Sequence, residues 1–396
     1  MKRREVLQGL LAAPLLARSI TRAPAATAGP VSERPKRRAR PGEPGWPSAA
    51  QWDELRHQTG GRLSEVHSPL DACRDAADGA ACHDVFRELK NPYFIGDDLG
   101  LTQTTGWADA WTFRPSVYAV AAATTADVVA AVNFARAHNL RLVVKGGGHS
   151  YLGRSNAPDS LLIWTRRMNA IVLHDAFIPE GCAGQQQPHH AVSVGPGAIW
   201  GHTYDKVTTG GGRYVQGGGC LTVGVAGLVQ AGGFGSFSKQ FGTAACHLLE
   251  AEIVTADGAV RIANACTNPD LFWGLKGGGG GSLGVVTRLT LKTHDLPAVV
   301  GGVHATIQAT SDPAFRRLVG QFIALYAERL CNPQWGEIVT LRPGRRLDIR
   351  MSFHGLDQRT AGDIWRPFFD EALAGMPDDF AFVSAPSIRS GPARHA

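Results

Sequence analysis

Two glycine-rich segments constrain this chain more than anything else in it: Lys145-Gly146-Gly147-Gly148-His149-Ser150-Tyr151 and Gly217-Gly218-Gly219-Cys220-Leu221-Thr222-Val223-Gly224. Runs of glycine weaken the interior of a helix or strand, because glycine loses the most backbone freedom on ordering. They suit places where the backbone must come close to something, and successive amides in such turns form a concave nest for phosphate. Upstream, Val117–Ala122 alternates as a strand, Thr125–Asn139 reads as an amphipathic helix, and Leu140–Lys145 as a buried strand. That β-α-β order puts His149 at the carboxyl end of a strand, where open α/β units present groups to ligands. The first loop thus carries an imidazole and the second a thiol, both able to bond to an electrophilic ring.

Taken singly, such residues have plainer uses: a loop histidine can hydrogen-bond a phosphate, and a lone cysteine is often a small buried hydrophobe. The motifs around them decide otherwise. Pro115-Ser116-Val117-Tyr118-Ala119-Val120, the two loops, Ala231-Gly232-Gly233-Phe234-Gly235 and Asp270-Leu271-Phe272-Trp273-Gly274-Leu275-Lys276 follow one another in the order of a known family. The stretch from about Pro115 to Leu296 resembles the FAD-binding domain of the vanillyl-alcohol oxidase (PCMH) type, in its berberine bridge enzyme-like branch. By that resemblance the flavin is bound twice, its 8α-methyl carbon to His149 and its ring carbon 6 to Cys220. The resemblance also implies contacts from Gly146, Gly147, Gly148, Ser150, Gly219, Thr222, Gly224, Gly227, Gly233 and Gly235, and from Val254 through its backbone.

The resemblance further implies a role for Tyr151 in positioning substrate or moving a proton. A second family tyrosine falls at Phe234, which cannot titrate. Val223 matches a position that gates dioxygen at the reduced flavin, valine being typical of oxidases. Gly279-Gly280-Gly281-Ser282-Leu283-Gly284 fits the dinucleotide pattern G-x-G-x-x-G, but a β-branched run, Val285–Leu291, follows it. That pattern needs a helix there, so this is no Rossmann turn.

The expected fold is α+β: a PCMH-type FAD-binding domain of two α/β subdomains (residues 48–296, core about 112–296), then a partial antiparallel-sheet substrate domain with helices on one face (297–396). Expected strands there are Val303–Ala309, Glu337–Leu341 and Leu347–Phe353, with helices over Asp312–Glu328 and Thr360–Ala374 and a polar end at Arg389-Ser390-Gly391-Pro392. Family members run on for roughly another hundred residues, the size of a small domain. The resemblance therefore implies a chain shortened at its C-terminus, short of the segment that supplies a catalytic base. On the resemblance the activity is that of an FAD-dependent oxidase taking hydride from a carbohydrate or other alcohol-type molecule and passing it to dioxygen. The alternative is a truncated, non-catalytic flavin-binding remnant.

Arg3-Arg4-Glu5-Val6-Leu7, a short apolar run and Ala26-Thr27-Ala28 read as a twin-arginine signal cut after Ala28, followed by a basic Pro-rich linker to residue 47. Export to the periplasm or beyond follows, without stable membrane insertion, because the apolar run is much shorter than the roughly 20 residues a span needs. The formal charge of +6 raises the idea of a nucleic-acid binder, but the first 41 residues hold ten Lys/Arg and two Glu, so the remainder is slightly acidic. No nucleic-acid partner is expected; the partners are a small-molecule substrate and dioxygen. His189 and His190, read as a solvated loop pair, lack the spacing of a zinc site. Of the seven cysteines, Cys73 and Cys82 are the expected bridge. Six cysteines can pair in fifteen ways, which sequence does not resolve, and Cys182, Cys246, Cys266 and Cys331 are left open between further bridges and core residues.

Overall fold

The computed structural model describes residues 37–103, 113–336, 338–374 and 376–395. The expected leader, the linker as far as residue 36, and Glu337 lie outside the described residues. The helix Ala49–Gln58 and strand β1 (Leu63–Glu65) come first, ahead of β2 (Tyr118–Ala121), β3 (Arg141–Lys145) and β4 (Ser160–Trp164). These strands form one sheet in the order β1-β2-β4-β3, with β2 and β3 both parallel to β4. The helix Thr125–Ala137 is the crossover, and Thr124 starts it with a capping box closed by Asp127. Asp127 is buried and also takes a bidentate pair from Arg62, at 3.1 Å from Nε and 2.7 Å from Nη2. Burial pushes its carboxyl up, but Arg62 and the amides of Ala123 and Thr124 outweigh that and hold it below the usual range.

A second sheet takes β5 (Ile171–Phe177), β6 (His189–Val194), β8 (Leu248–Val254), β9 (Val260–Asn264) and β10 (Val285–Lys292) in the order β5-β6-β10-β8-β9, all antiparallel. A short ribbon pairs β7 (Arg213–Tyr214) with β11 (His294–Asp295). Leu289 and Leu291 of β10 share a core with Val192, Trp200, Val225, Val229 and Ile253. The second sheet thus backs the helix Val225–Gln230, which opens immediately after the Cys220 loop.

The third sheet is formed by β12 (Val299–Ala309), β13 (Trp335–Gly336), β14 (Val339–Arg342), β15 (Arg346–His354) and β16 (Phe380–Pro392), in the path β13-β15-β12-β16 with β14 also on β15. The helices Asp312–Leu325 and Gln358–Ala374 pack on its apolar face, where Val303, Ile307, Leu318, Trp335, Phe353 and Trp365 are buried together. Truncating a buried indole such as Trp365 costs roughly 3–5 kcal/mol.

The structure corrects several sequence-based expectations. Arg389–Pro392 is not an irregular end but the last part of β16, paired with β12 from Gly302 back to Val299; glycine and proline at its tip hid the strand. His189 and His190 lie in β6 rather than in a loop. Besides the expected Cys73–Cys82 bridge there is a second disulfide, Cys182–Cys266, across 84 residues of sequence. Cys246 and Cys331 are exposed free thiols, not core residues. Strand β10 follows the Gly279–Gly284 stretch directly, as the rejection of a Rossmann turn requires.

Candidate active site

Strand β3 delivers Lys145 and then the glycines, and Gly148 turns the chain with φ at +77°, a conformation costly for any residue with a Cβ. Gly147 is needed for a different reason. A Cβ there would lie 2.7 Å from both the Gly224 amide nitrogen and the Thr222 carbonyl oxygen. The two glycine loops therefore meet backbone to backbone, as only a residue without a side chain allows.

The helix Trp200–Tyr204 holds the second loop. Trp200 N–H donates to Val223 O at 3.0 Å, Gly201 N–H to Leu221 O at 2.8 Å, and Val225 N–H to Ala198 O at 2.9 Å. The Tyr204 hydroxyl donates to Gly218 O at 2.6 Å, and burial raises its pKa.

Contact between the loops brings three functional groups together. His149 Nε2 lies 3.0 Å from Thr222 Oγ1, and Cys220 Sγ lies 3.7 Å from the same oxygen. Thr222 is buried, His149 half-buried and Cys220 exposed. Burial holds the His149 pKa below the ordinary imidazole value, opposed in part by a hydrogen bond to the Thr222 backbone. The ring is therefore neutral at neutral pH, with one nitrogen lone pair free to act as a nucleophile.

Lys145 is a site residue that sequence reading did not single out. Its side chain is wholly buried beneath the loop, and Nζ donates to Leu101 O at 2.6 Å and to Asp98 O. Burial lowers its pKa to about 8, with Asp98 and Asp97 opposing. Gln103 N–H adds a bond to Gly148 O at 2.9 Å, so segment 98–103 braces the His149 loop from below. The available signal was a lysine closing the apolar run Leu142–Val144 of the strand.

The remaining expected residues divide into groups. Gly219 and Gly227 open onto free space, with no atom within 4 Å of an added Cβ. Gly233 and Gly235 are packing glycines: an added Cβ would meet Leu228 Cδ2 at 2.2 Å and Gly217 O at 1.9 Å. Val254 is fully buried with Val120, Val128 and Val285, and its backbone lies between β9 and β10, so its side chain belongs to the core. Val223 packs against the core around Trp200. Ser150 Oγ accepts from Arg154 N–H at 3.3 Å. Tyr151 and Phe234 are exposed, at 66% and 82%, in and beside the glycine loops.

The donor set fits a dinucleotide with an electrophilic aromatic ring: open glycine backbone, a neutral imidazole and a thiol on one hydroxyl, with aromatic side chains nearby. Next to the Cys220 loop, a cleft of about 640 Å³ is lined by Tyr204, Tyr214, Phe237, His304, Ser352 and Arg389 among others. A larger cleft, about 840 Å³, runs along Arg359, Arg366, Phe369 and Phe382, and neither cleft is lined by a residue of the two loops. The smaller one is the better candidate for substrate, because Tyr204 ties it to Gly218. Among the described residues no cluster of His, Cys, Asp or Glu is arranged for a metal ion, and no helix is long and apolar enough to cross a membrane.

Fold and loops together define a flavin-binding module. Residues 116–264 match the model of the FAD binding domain family. The FAD-linked oxidoreductase malF of Malbranchea aurantiaca is 37% identical over 282 residues, 65% of this chain and 47% of the relative. The VAO-type flavoprotein MtVAO615 from Myceliophthora thermophila superposes with a TM-score of 0.77 at 26% identity, covering 90% of this chain and 66% of that one. The glucooligosaccharide oxidase of Acremonium strictum, whose FAD is described as 6-S-cysteinyl, 8α-N1-histidyl, shares the fold at 20% identity and a TM-score of 0.57, over 82% of this chain and 61% of that one. The chain thus carries an FAD binding domain, is similar in sequence to FAD-linked oxidoreductases and has the fold of VAO-type flavoproteins. It spans about half the length of curated relatives such as malF.

Proposed function

We propose that this chain binds FAD through covalent links from His149 and Cys220, and serves an oxidase that takes hydride from a small-molecule C–H and delivers the electrons to dioxygen as hydrogen peroxide. The observation that carries the reading is the convergence of His149 and Cys220 on the single hydroxyl of Thr222. FAD bound here supplies the hydride acceptor. His149 and Cys220 hold the ring at two points, and Gly146 to Ser150, with Gly219, Gly224 and Gly227, give it backbone to lie against. Gly233 and Gly235 shape the loop beneath.

Tyr151 orients the substrate or carries a proton. Val223 leaves room for dioxygen in a close-packed wall that one more methylene would fill. The third sheet, β12 to β16, is the substrate side in this reading. An alcohol-type substrate, and first a carbohydrate, is supported by the oligosaccharide oxidases among the structural relatives. Export by the twin-arginine route is supported by the two disulfides, which suit an oxidising compartment.

The test is anaerobic mixing of purified protein with oligosaccharides and simple alcohols. Bleaching of the flavin, followed by peroxide on admitting air, supports the reading. Fully folded flavoprotein that no such substrate bleaches contradicts it.

A further inference from the structure

Thr222 stands between two groups that the proposed attachment uses. A hydroxyl has one proton to give and lone pairs to receive. If Oγ1 accepts from His149 Nε2–H at 3.0 Å, its own proton is free to point at Cys220 Sγ, 3.7 Å away. Each donor in such a chain strengthens the next, which favours one direction of hydrogen bonding throughout. Thr222 is buried while Cys220 is exposed, so the direction is set from the protected end. Burial of His149 keeps the ring neutral, leaving it a single N–H.

We propose that Thr222 is a positioning residue for covalent flavin attachment: it holds the N–H of His149 at Nε2, so that Nδ1 makes the bond, and it turns its own proton to Cys220 Sγ, which fixes the sulfur on the same hydroxyl. The inference rests on the double attachment proposed above. In the histidine step the bond formed joins Nδ1 to the ring methyl carbon, and one methyl C–H bond breaks. That C–H proton and the Nε2 proton both leave, the latter through Thr222 Oγ1. The electron pair from the C–H bond passes to dioxygen, which with two protons becomes peroxide. The cysteine step balances in the same way, sulfur replacing hydrogen on a ring carbon with dioxygen again the oxidant.

The experiment compares the full chain as wild type, Thr222→Val and Thr222→Ser. Covalent flavin is followed by fluorescence after denaturation, linked peptides by mass spectrometry, and the linked nitrogen by NMR of the histidyl-flavin peptide. Thr222→Val keeps the shape and should slow attachment at least about tenfold and give a mixture of Nδ1 and Nε2 links, while Thr222→Ser stays within about twofold of wild type. Should Thr222→Val fail to fold, ¹⁵N NMR of His149 in flavin-free wild type decides, with an Nε2–H tautomer expected and an Nδ1–H tautomer overturning the proposal. Equal rates through the same nitrogen in Thr222→Val overturn the Thr222 role alone. Wild type with no covalent flavin at all overturns the attachment reading and this inference with it.

Discussion

The His149 loop leaves a strand of a parallel pair and rests on a wholly buried lysine, whereas the Cys220 loop follows a two-residue strand and is tied by backbone bonds to the helix Trp200–Tyr204. Their nucleophiles differ accordingly: the imidazole is half-buried and the thiol is exposed. The contrast follows from chemistry. An imidazole attacks only when neutral, and burial keeps it so. A cysteine sulfur needs access to its target, which an exposed position next to a hydroxyl gives it. The loops meet at Gly147, and that contact makes two different environments one site.

The strongest way to break this comparison is at the contact itself. Gly147→Val drives side-chain atoms into the backbone of Gly224 and Thr222 and should cost about 3 kcal/mol or more with loss of bound flavin, whereas Gly219→Ala, facing open space, should stay within about 0.5 kcal/mol. Urea unfolding and flavin content measure both. Comparable effects from the two would mean that the loops do not depend on each other.

Lys145→Met tests the brace under the His149 loop. Removing Nζ leaves Asp98 O and Leu101 O without that donor, at a cost of about 1–3 kcal/mol. The pH dependence has a definite sign. The folded pKa, about 8, is below the unfolded value near 10.4, so between these the unfolded chain binds more protons and stability rises with pH. Wild type should therefore gain on Lys145→Met between about pH 8 and 9.5 in urea melts, and a constant difference would show that Lys145 is not the buried cation described.

How much of this was legible beforehand depends on whether the signal was local. The β-α-β unit before His149 announced itself through apolar periodicity, and the structure has strand, helix and strand there. The loops were legible as glycine runs, but not their contact, which needs a distance across 73 residues. Gly233 and Gly235 are expected at the cofactor, and the structure adds a second reason for glycine there, since an added Cβ would meet Leu228 or Gly217; the two uses of glycine look alike in sequence. Lys145 escaped because a buried lysine is rare unless its charge is satisfied. The Cys182–Cys266 bridge escaped because separation in sequence says nothing about proximity in space.

Smaller effects sharpen the contrast on the second loop. Val223→Leu should slow reoxidation of the reduced flavin at least tenfold, about 1.4 kcal/mol, with the reductive step nearly unchanged. Stopped-flow traces that slow equally in both half-reactions would show general damage rather than a gate. In acid, attachment at His149 should keep its full rate to below about pH 6.5, the ordinary imidazole midpoint, because burial lowers the pKa of this ring. A rate already falling above that pH would mean that the imidazole is not held neutral.

The central claim, that two unlike loops form one double attachment, is tested most directly by peptide mass mapping of protein that has been acid-precipitated and washed. The account predicts that the precipitate stays yellow, with flavin mass on the peptides containing His149 and Cys220, and that His149→Ala retains a single link through Cys220. Well-folded protein that loses all its colour to the acid supernatant, with both peptides unmodified, would contradict it.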